Sequence, residues 1–134
     1  MPAEKESGGY KALTISRLAY FLRKAATDER TRWKLISEFL EEYRWEPLDS
    51  RGELLVEEPE STGDERWDVL LAALAEHVAI HDGRPGPEWA NDRTLVQFWF
   101  PYNTPFARVD AFVHAPASFR RRGVFLARRE LEVA

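Results

Sequence analysis

Two histidines, His77 and His81, stand four residues apart in AEHVAIH, a spacing that turns both imidazoles to one side of a helix and within reach of one zinc ion. The protease form of that pattern needs a glutamate directly after the first histidine, to act as base. Here Glu76 precedes His77 and Val78 follows it. Asp82 or His114 offers a third ligand, but no spacing requires either. The reading is therefore that no metal is held, with His77 on the helix edge and His81 serving the helix C-terminus. Carboxylates are plentiful, yet Glu57, Glu58 and Glu60 fall in a proline-containing stretch with nothing to position or tune them for acid–base work. No serine has a nucleophile-elbow context and no glycine-rich phosphate loop occurs. No catalytic residue and no cofactor is nominated, and the chain reads as non-enzymatic.

What remains is recognition chemistry. Phe119 to Arg129 carries five arginines, Arg120, Arg121, Arg122, Arg128 and Arg129, and no acid. Each guanidinium is a planar fork of donors suited to carboxylates and phosphates. Such a segment can grip an acidic protein surface or nucleic acid, or pair with the acidic 41–68 region of its own chain. Just upstream lie Trp89, Phe98, Trp99, Phe100, Tyr102 and Phe106, interrupted by prolines at 87, 101 and 105. Most of these rings are expected in the core, with one or two of Trp89, Trp99 and Tyr102 left outside as partner anchors.

The elements that must position these groups centre on Asp64 to Gly83. Trp67, Leu70, Leu71, Leu74 and Val78 form a helical stripe, and Val69, Ala72, Ala73, Ala75, Ala79 and Ile80 make most of the remaining surface apolar. A helix apolar nearly all round needs neighbours on several sides, so this is the expected buried centre. Thr62 and Glu65 have capping-box spacing, and Gly83 suits a left-handed helix end. Before it, Ile15, Leu18, Ala19, Leu22 and Ala26 mark one helix, with Thr14 or Ser16 as its cap. A second runs from Asp28 to about Glu46, with Trp33, Ile36, Phe39, Leu40 and Tyr43 inward, and the two fold back as a hairpin. Leu54–Val56 reads as a short extended anchor followed by an exposed acidic loop. After the centre come a turn at PEWAND and a helical turn over RTLVQFWF, with Asp92 as its cap. Thr104-Pro105 then opens a helix with Phe106, Val109, Phe112 and Val113 inward, and Pro116 opens a final turn. The fold class is all-α: a compact single-domain helical fold over 10–134 with much irregular chain, behind a mobile tail at 1–9.

Composition sets the outer limits. The chain has 134 residues, 44% hydrophobic, with five tryptophans and no cysteine, which excludes disulfides, thiolate zinc sites and a cysteine nucleophile. No apolar run approaches the ~18 residues of a membrane span, and the start lacks a secretory signal, so a cytoplasmic location is expected. The net charge of -4 is polarised. Residues 1–40 carry eight basic and five acidic side chains, residues 41–68 three and eleven. A mildly acidic whole disfavours general nucleic-acid binding.

DERWDVLLAALAEHVA, the isolated PEW, WFP at 99–101, and FRRRGVFL followed by REL together resemble a recurrent bacterial, actinobacterial-type domain. That domain follows a helix-turn-helix segment in proteins labelled transcriptional regulators, or antitoxins beside a nucleotidyltransferase-like toxin. The resemblance covers roughly Thr31 to Val133 and implies an interaction domain that binds and masks a protein partner, with no catalytic residue to carry over. Residues 1–30 are too few for a complete helix-turn-helix domain and tail, so the expectation is the companion domain without its DNA reader. A small DNA-associated regulator using the C-terminal arginines is the alternative, and a histidine-based metal enzyme the remote third.

Overall fold

The computed structural model describes residues 12–132. The expected tail at 1–9 lies outside them, as do 10, 11, 133 and 134. The described chain is an all-α single domain. Its α-helices are α1 (Ile15–Lys24), α2 (Glu29–Trp45), α3 (Glu65–His81), α4 (Pro105–His114) and the single turn α5 (Ala117–Arg120). Short 3-10 turns lie at Leu48–Leu54, Glu88–Ala90 and Arg128–Leu131.

α3 is the centre. Ten of its residues are buried, among them Trp67, Leu70, Leu71 and Leu74, while Ile80 is exposed. α1 and α2 form the hairpin and α1, α5 and the Glu88–Ala90 turn pack on α3. Thr14 caps α1 by accepting from the Arg17 N–H, and Asp28 caps α2 by accepting from the Thr31 N–H. α2 ends at Trp45, since Pro47 holds Glu46 in extended geometry. Ala26 lies in the exposed turn beyond α1, and Trp33 is half-buried between Trp67 and Tyr102. Arg32, by contrast, is buried: its guanidinium lies over the Trp67 ring, and its Nε donates to the Leu22 carbonyl at 3.3 Å.

The capping-box expectation at Thr62 is corrected. Asp64 is the cap, accepting from the Arg66 N–H, and the helix starts too late for Thr62 to reach it. Thr62 instead donates its N–H and hydroxyl to the Asp68 carboxylate, both at 2.7 Å. At the other end Gly83 has φ +77°, with its N–H on Ile80 and the Arg84 N–H on Ala79, the double closure that a glycine permits.

Two irregular stretches also differ from expectation. Leu54–Val56 is not extended: it closes the 3-10 turn, with Leu54 and Leu55 buried and Val56 exposed. The acidic loop after it has Glu57, Glu58 and Glu60 exposed as expected, but it is anchored too, because Pro59 is buried and Arg93 donates to both the Pro59 carbonyl and Glu58. RTLVQFWF is not helical and Asp92 caps no helix. The segment is irregular, bending at Val96 and Gln97, and is pinned to the C-terminal strap by Leu95 N–H to the Arg122 carbonyl and Trp99 N–H to the Gly123 carbonyl. The Phe125 N–H returns to Trp99, making a parallel bridge between Trp99 and Val124. Backbone pairing to buried chain outweighs the local helical preference here. Gly123 allows the close approach: its φ is +83° and a Cβ would lie 3.2 Å from the Leu95 carbonyl oxygen.

Candidate protein-interaction surface

α4 is set by Thr104, whose hydroxyl accepts from the Ala107 N–H, and by Pro105 in its first turn. Its large apolar residues were expected inward. The structure reverses that: Phe106, Val109, Phe112 and Val113 are 72%, 64%, 58% and 58% exposed, and the one buried residue is Ala111. Ala107 and Ala111, one turn apart on the opposite side, lie toward the body instead. Alanines bring the helix close without a deep pocket, and the surface beneath is already filled by Phe125. That ring is buried and receives Phe98, Phe100 and Phe112 at centroid distances of 5.0, 5.0 and 5.9 Å. Phe98 is itself 67% exposed, so the outward face of α4 continues across Phe112 onto the 95–100 segment.

Guanidiniums rim this aromatic face. Arg108 lies 4.2 Å from the centroid of Phe100 and donates to the Asn103 side-chain oxygen at 2.6 Å. Arg120 lies over both Phe112 and Phe125 and donates to the Phe112 carbonyl. Arg129 sits over Phe106 and pairs with Asp110 at 2.7 Å. Cation–π contact of this kind keeps a long side chain flat against a ring and its charge at the surface.

The arginine run does not form one patch. Arg120, Arg128 and Arg129 are exposed. Arg121 is exposed but holds Glu76 in a two-pronged pair, at 3.0 and 2.7 Å. Arg122 is fully buried, and its expected role in partner contact is corrected: no surface reaches it. It donates to Glu76 at 2.6 Å and to the carbonyls of Ser118 and Ala90, locking α3, α5 and the Glu88–Ala90 turn together. Burial alone would raise the Glu76 pKa, but hydrogen bonds from Arg121 and Arg122 hold it down to about 2. The internal partners of these arginines are thus Glu76 and Asp110, not the acidic 41–68 region.

The expected aromatic anchors are half-buried and internally engaged. Trp89 donates its indole N–H to the Leu55 carbonyl at 2.9 Å and carries Arg93 over its ring. Trp99 packs edge-on against Trp67 under Arg66. Tyr102 stacks on Trp33 at 5.4 Å. Within residues 89–125 the rings most open to solvent are Phe106, Phe98 and Phe112 instead, none of them among the expected anchors. The alanines at 107 and 111 are the signal that could have found them, since a small-residue face one turn long marks the side a helix turns to a flat surface.

The histidines lie elsewhere. Their rings are 4.4 Å apart, His77 half-buried against Phe119 and His81 exposed, with His81 Nδ1 3.0 Å from the His77 carbonyl. His77 is therefore not on an exposed edge, and burial, followed by the charges of His81 and Arg128, pushes its pKa down to about 4. They border a groove of about 340 Å³ between the C-terminal ends of α2 and α3. Asp82 in that groove is taken by the Tyr43 hydroxyl at 2.6 Å and by Arg51 at 2.9 Å. Burial and that hydrogen bond raise the Tyr43 pKa. Among the described residues no three histidine, aspartate or glutamate side chains come together as metal ligands.

Comparison with protein families, with characterised proteins and with solved structures finds no match to this chain.

Proposed function

We propose that this chain is a non-enzymatic protein-interaction domain, antitoxin-like or regulatory, and that it binds and masks a partner through the outward face of α4 and the adjoining Phe98. The observation that supports this reading most is the exposure of Phe106, Val109, Phe112 and Val113 on one side of a ten-residue helix. Full burial of one such side chain is worth about 1.5–3 kcal/mol, so turning four of them to water forgoes a large fraction of a domain's usual net stability of about 5–15 kcal/mol. Contiguous apolar surface of this kind is characteristic of interaction sites. Among the described residues no helix is long and apolar enough to cross a membrane.

The DNA-associated alternative draws less support from the same geometry. Arg122 is interior, and Arg121 and Arg129 are already paired with carboxylates, so the basic run does not offer a continuous phosphate track. The test is affinity capture from the native host, comparing wild type with a Phe106→Ser/Phe112→Ser double variant whose melting temperature matches it. Wild type retains a stoichiometric protein partner that the variant loses. Retention of the same protein by both would refute the assignment of this face.

A further inference from the structure

The rim of the α4 face narrows the chemistry of what covers it. Between Val96 and Arg129 the chain has six arginines and a single acid, Asp110. Asp110 is taken by Arg129, and Glu76 reaches up from α3 to only Arg121 and Arg122. Arg108, over Phe100, and Arg120, over Phe112 and Phe125, have no carboxylate partner among the described residues. Both are already immobilised against rings, so less side-chain entropy remains to be lost when a carboxylate arrives. Resting on the interaction reading above, we infer that the occupant of this face is an acidic amphipathic helix of another protein. Its apolar side would cover Phe106, Val109 and Phe112, and its glutamates or aspartates would meet Arg108 and Arg120.

The same charges argue against the simplest alternative. A symmetric dimer through α4 would bring two copies of this arginine rim together, and like charges across an interface cost affinity and slow encounter. An acidic helix reverses the sign. It gains desolvated apolar area at the centre and charge-assisted hydrogen bonds at the border, the usual division of labour in a groove or face that takes a helix.

The experiment titrates the full chain with two synthetic amphipathic peptides that share leucines at helical spacing, one flanked by glutamates and the other by lysines. Backbone and valine-methyl NMR signals locate the contact. The glutamate peptide should shift Val109 and Val113 and bind roughly tenfold or more tightly than the lysine peptide, with the gap shrinking at high salt. Arg108→Glu should erase most of the gap, and Arg120→Glu gives the same answer if the first variant is unstable. Equal or tighter binding of the lysine peptide at Val109 and Val113 would overturn the acidic class while leaving the face as an interaction surface. Dimerisation of the free chain abolished by Phe106→Ser, or binding to phosphatidylglycerol vesicles with neither peptide bound, would overturn the acidic-helix occupant itself. Binding of neither peptide, together with host capture indifferent to Phe106→Ser/Phe112→Ser, would sink both readings.

Discussion

α3 and α4 carry the same kind of sequence signal and meet opposite fates. Each has large apolar residues at helical spacing, a capped start and a marked end. α3 lies among α1, α5 and the Glu88–Ala90 turn, and Trp67, Leu70, Leu71 and Leu74 are all buried. Among the described residues no helix packs extensively on α4, and its large residues face water while Ala111 faces in. The difference lies on the other side of each helix. Alanines and valine cover the back of α3, so either side of it can be buried. The back of α4 is Ala107, Asp110 and Ala111, small enough to rest on a surface and held there by the Asp110–Arg129 pair. Periodicity defines a face; which way the face points is decided by what the rest of the chain has left to offer it.

That contrast can be broken in order of expected effect. The largest belongs to the ion triad that seats α5 against α3. Glu76→Ala leaves Arg122 buried without its carboxylate and should destabilise by roughly 3–5 kcal/mol, as loss of one partner of a buried pair does. A denaturant midpoint near wild type would show that Arg122 finds water or another acceptor. Leu74→Ala should cost ~2–5 kcal/mol through lost burial and an unfilled cavity. Phe106→Ala and Val109→Ala, by comparison, should each stay within about 0.5 kcal/mol of wild type, as surface changes do. Similar losses from Leu74→Ala and Phe106→Ala would erase the distinction between the two helices.

A smaller effect sharpens the picture at the far end of α3. His77 is held neutral by burial, with a pKa near 4 in the folded chain against an ordinary value of 6.5. The unfolded chain therefore binds more protons between those limits. Stability contributed by neutral His77 is complete above about pH 6.5 and is lost as pH falls from there toward 4. Glu76 acts lower, losing its contribution as pH falls from about 4.5 toward 2. His77→Phe should flatten melting temperature against pH in the upper window and leave the lower one intact. Persistence of the upper slope in that variant would assign it to another group.

How much of this was legible beforehand follows the same physics. The all-α class, the hairpin, the buried α3 and the caps at Thr14 and Thr104 come from local rules: periodicity, an oxygen-bearing side chain before a helix, a glycine after it. The expected Thr62 cap lies two residues before the real one, because Asp64 accepts the Arg66 N–H while the Thr62 N–H and hydroxyl go to Asp68. RTLVQFWF failed because its partner, the strap at 122–125, is distant in sequence. The candidate site was half visible. Arg120 and the aromatic density lie on the side that carries the exposed α4 face, and Arg122 points away from it, since consecutive arginines at one turn cannot share a face. Phe106 and Phe112 were read as core because large apolar side chains usually are. No sequence rule says that Phe125 has already filled the space beneath them.

The proposed surface exists only if α4 is oriented as described, and the chain's lack of cysteine makes that orientation measurable. Single variants Val109→Cys and Ala111→Cys place one thiol on each side of the same helix. Their rates of reaction with a thiol reagent, at low protein concentration and below the melting transition, report which side is open. Val109→Cys should react about as fast as a thiol in an unstructured peptide, while Ala111→Cys should react only through opening of the fold. Protection at 109 with fast labelling at 111 would mean that the apolar face is packed inward, and the proposed interaction surface would not exist.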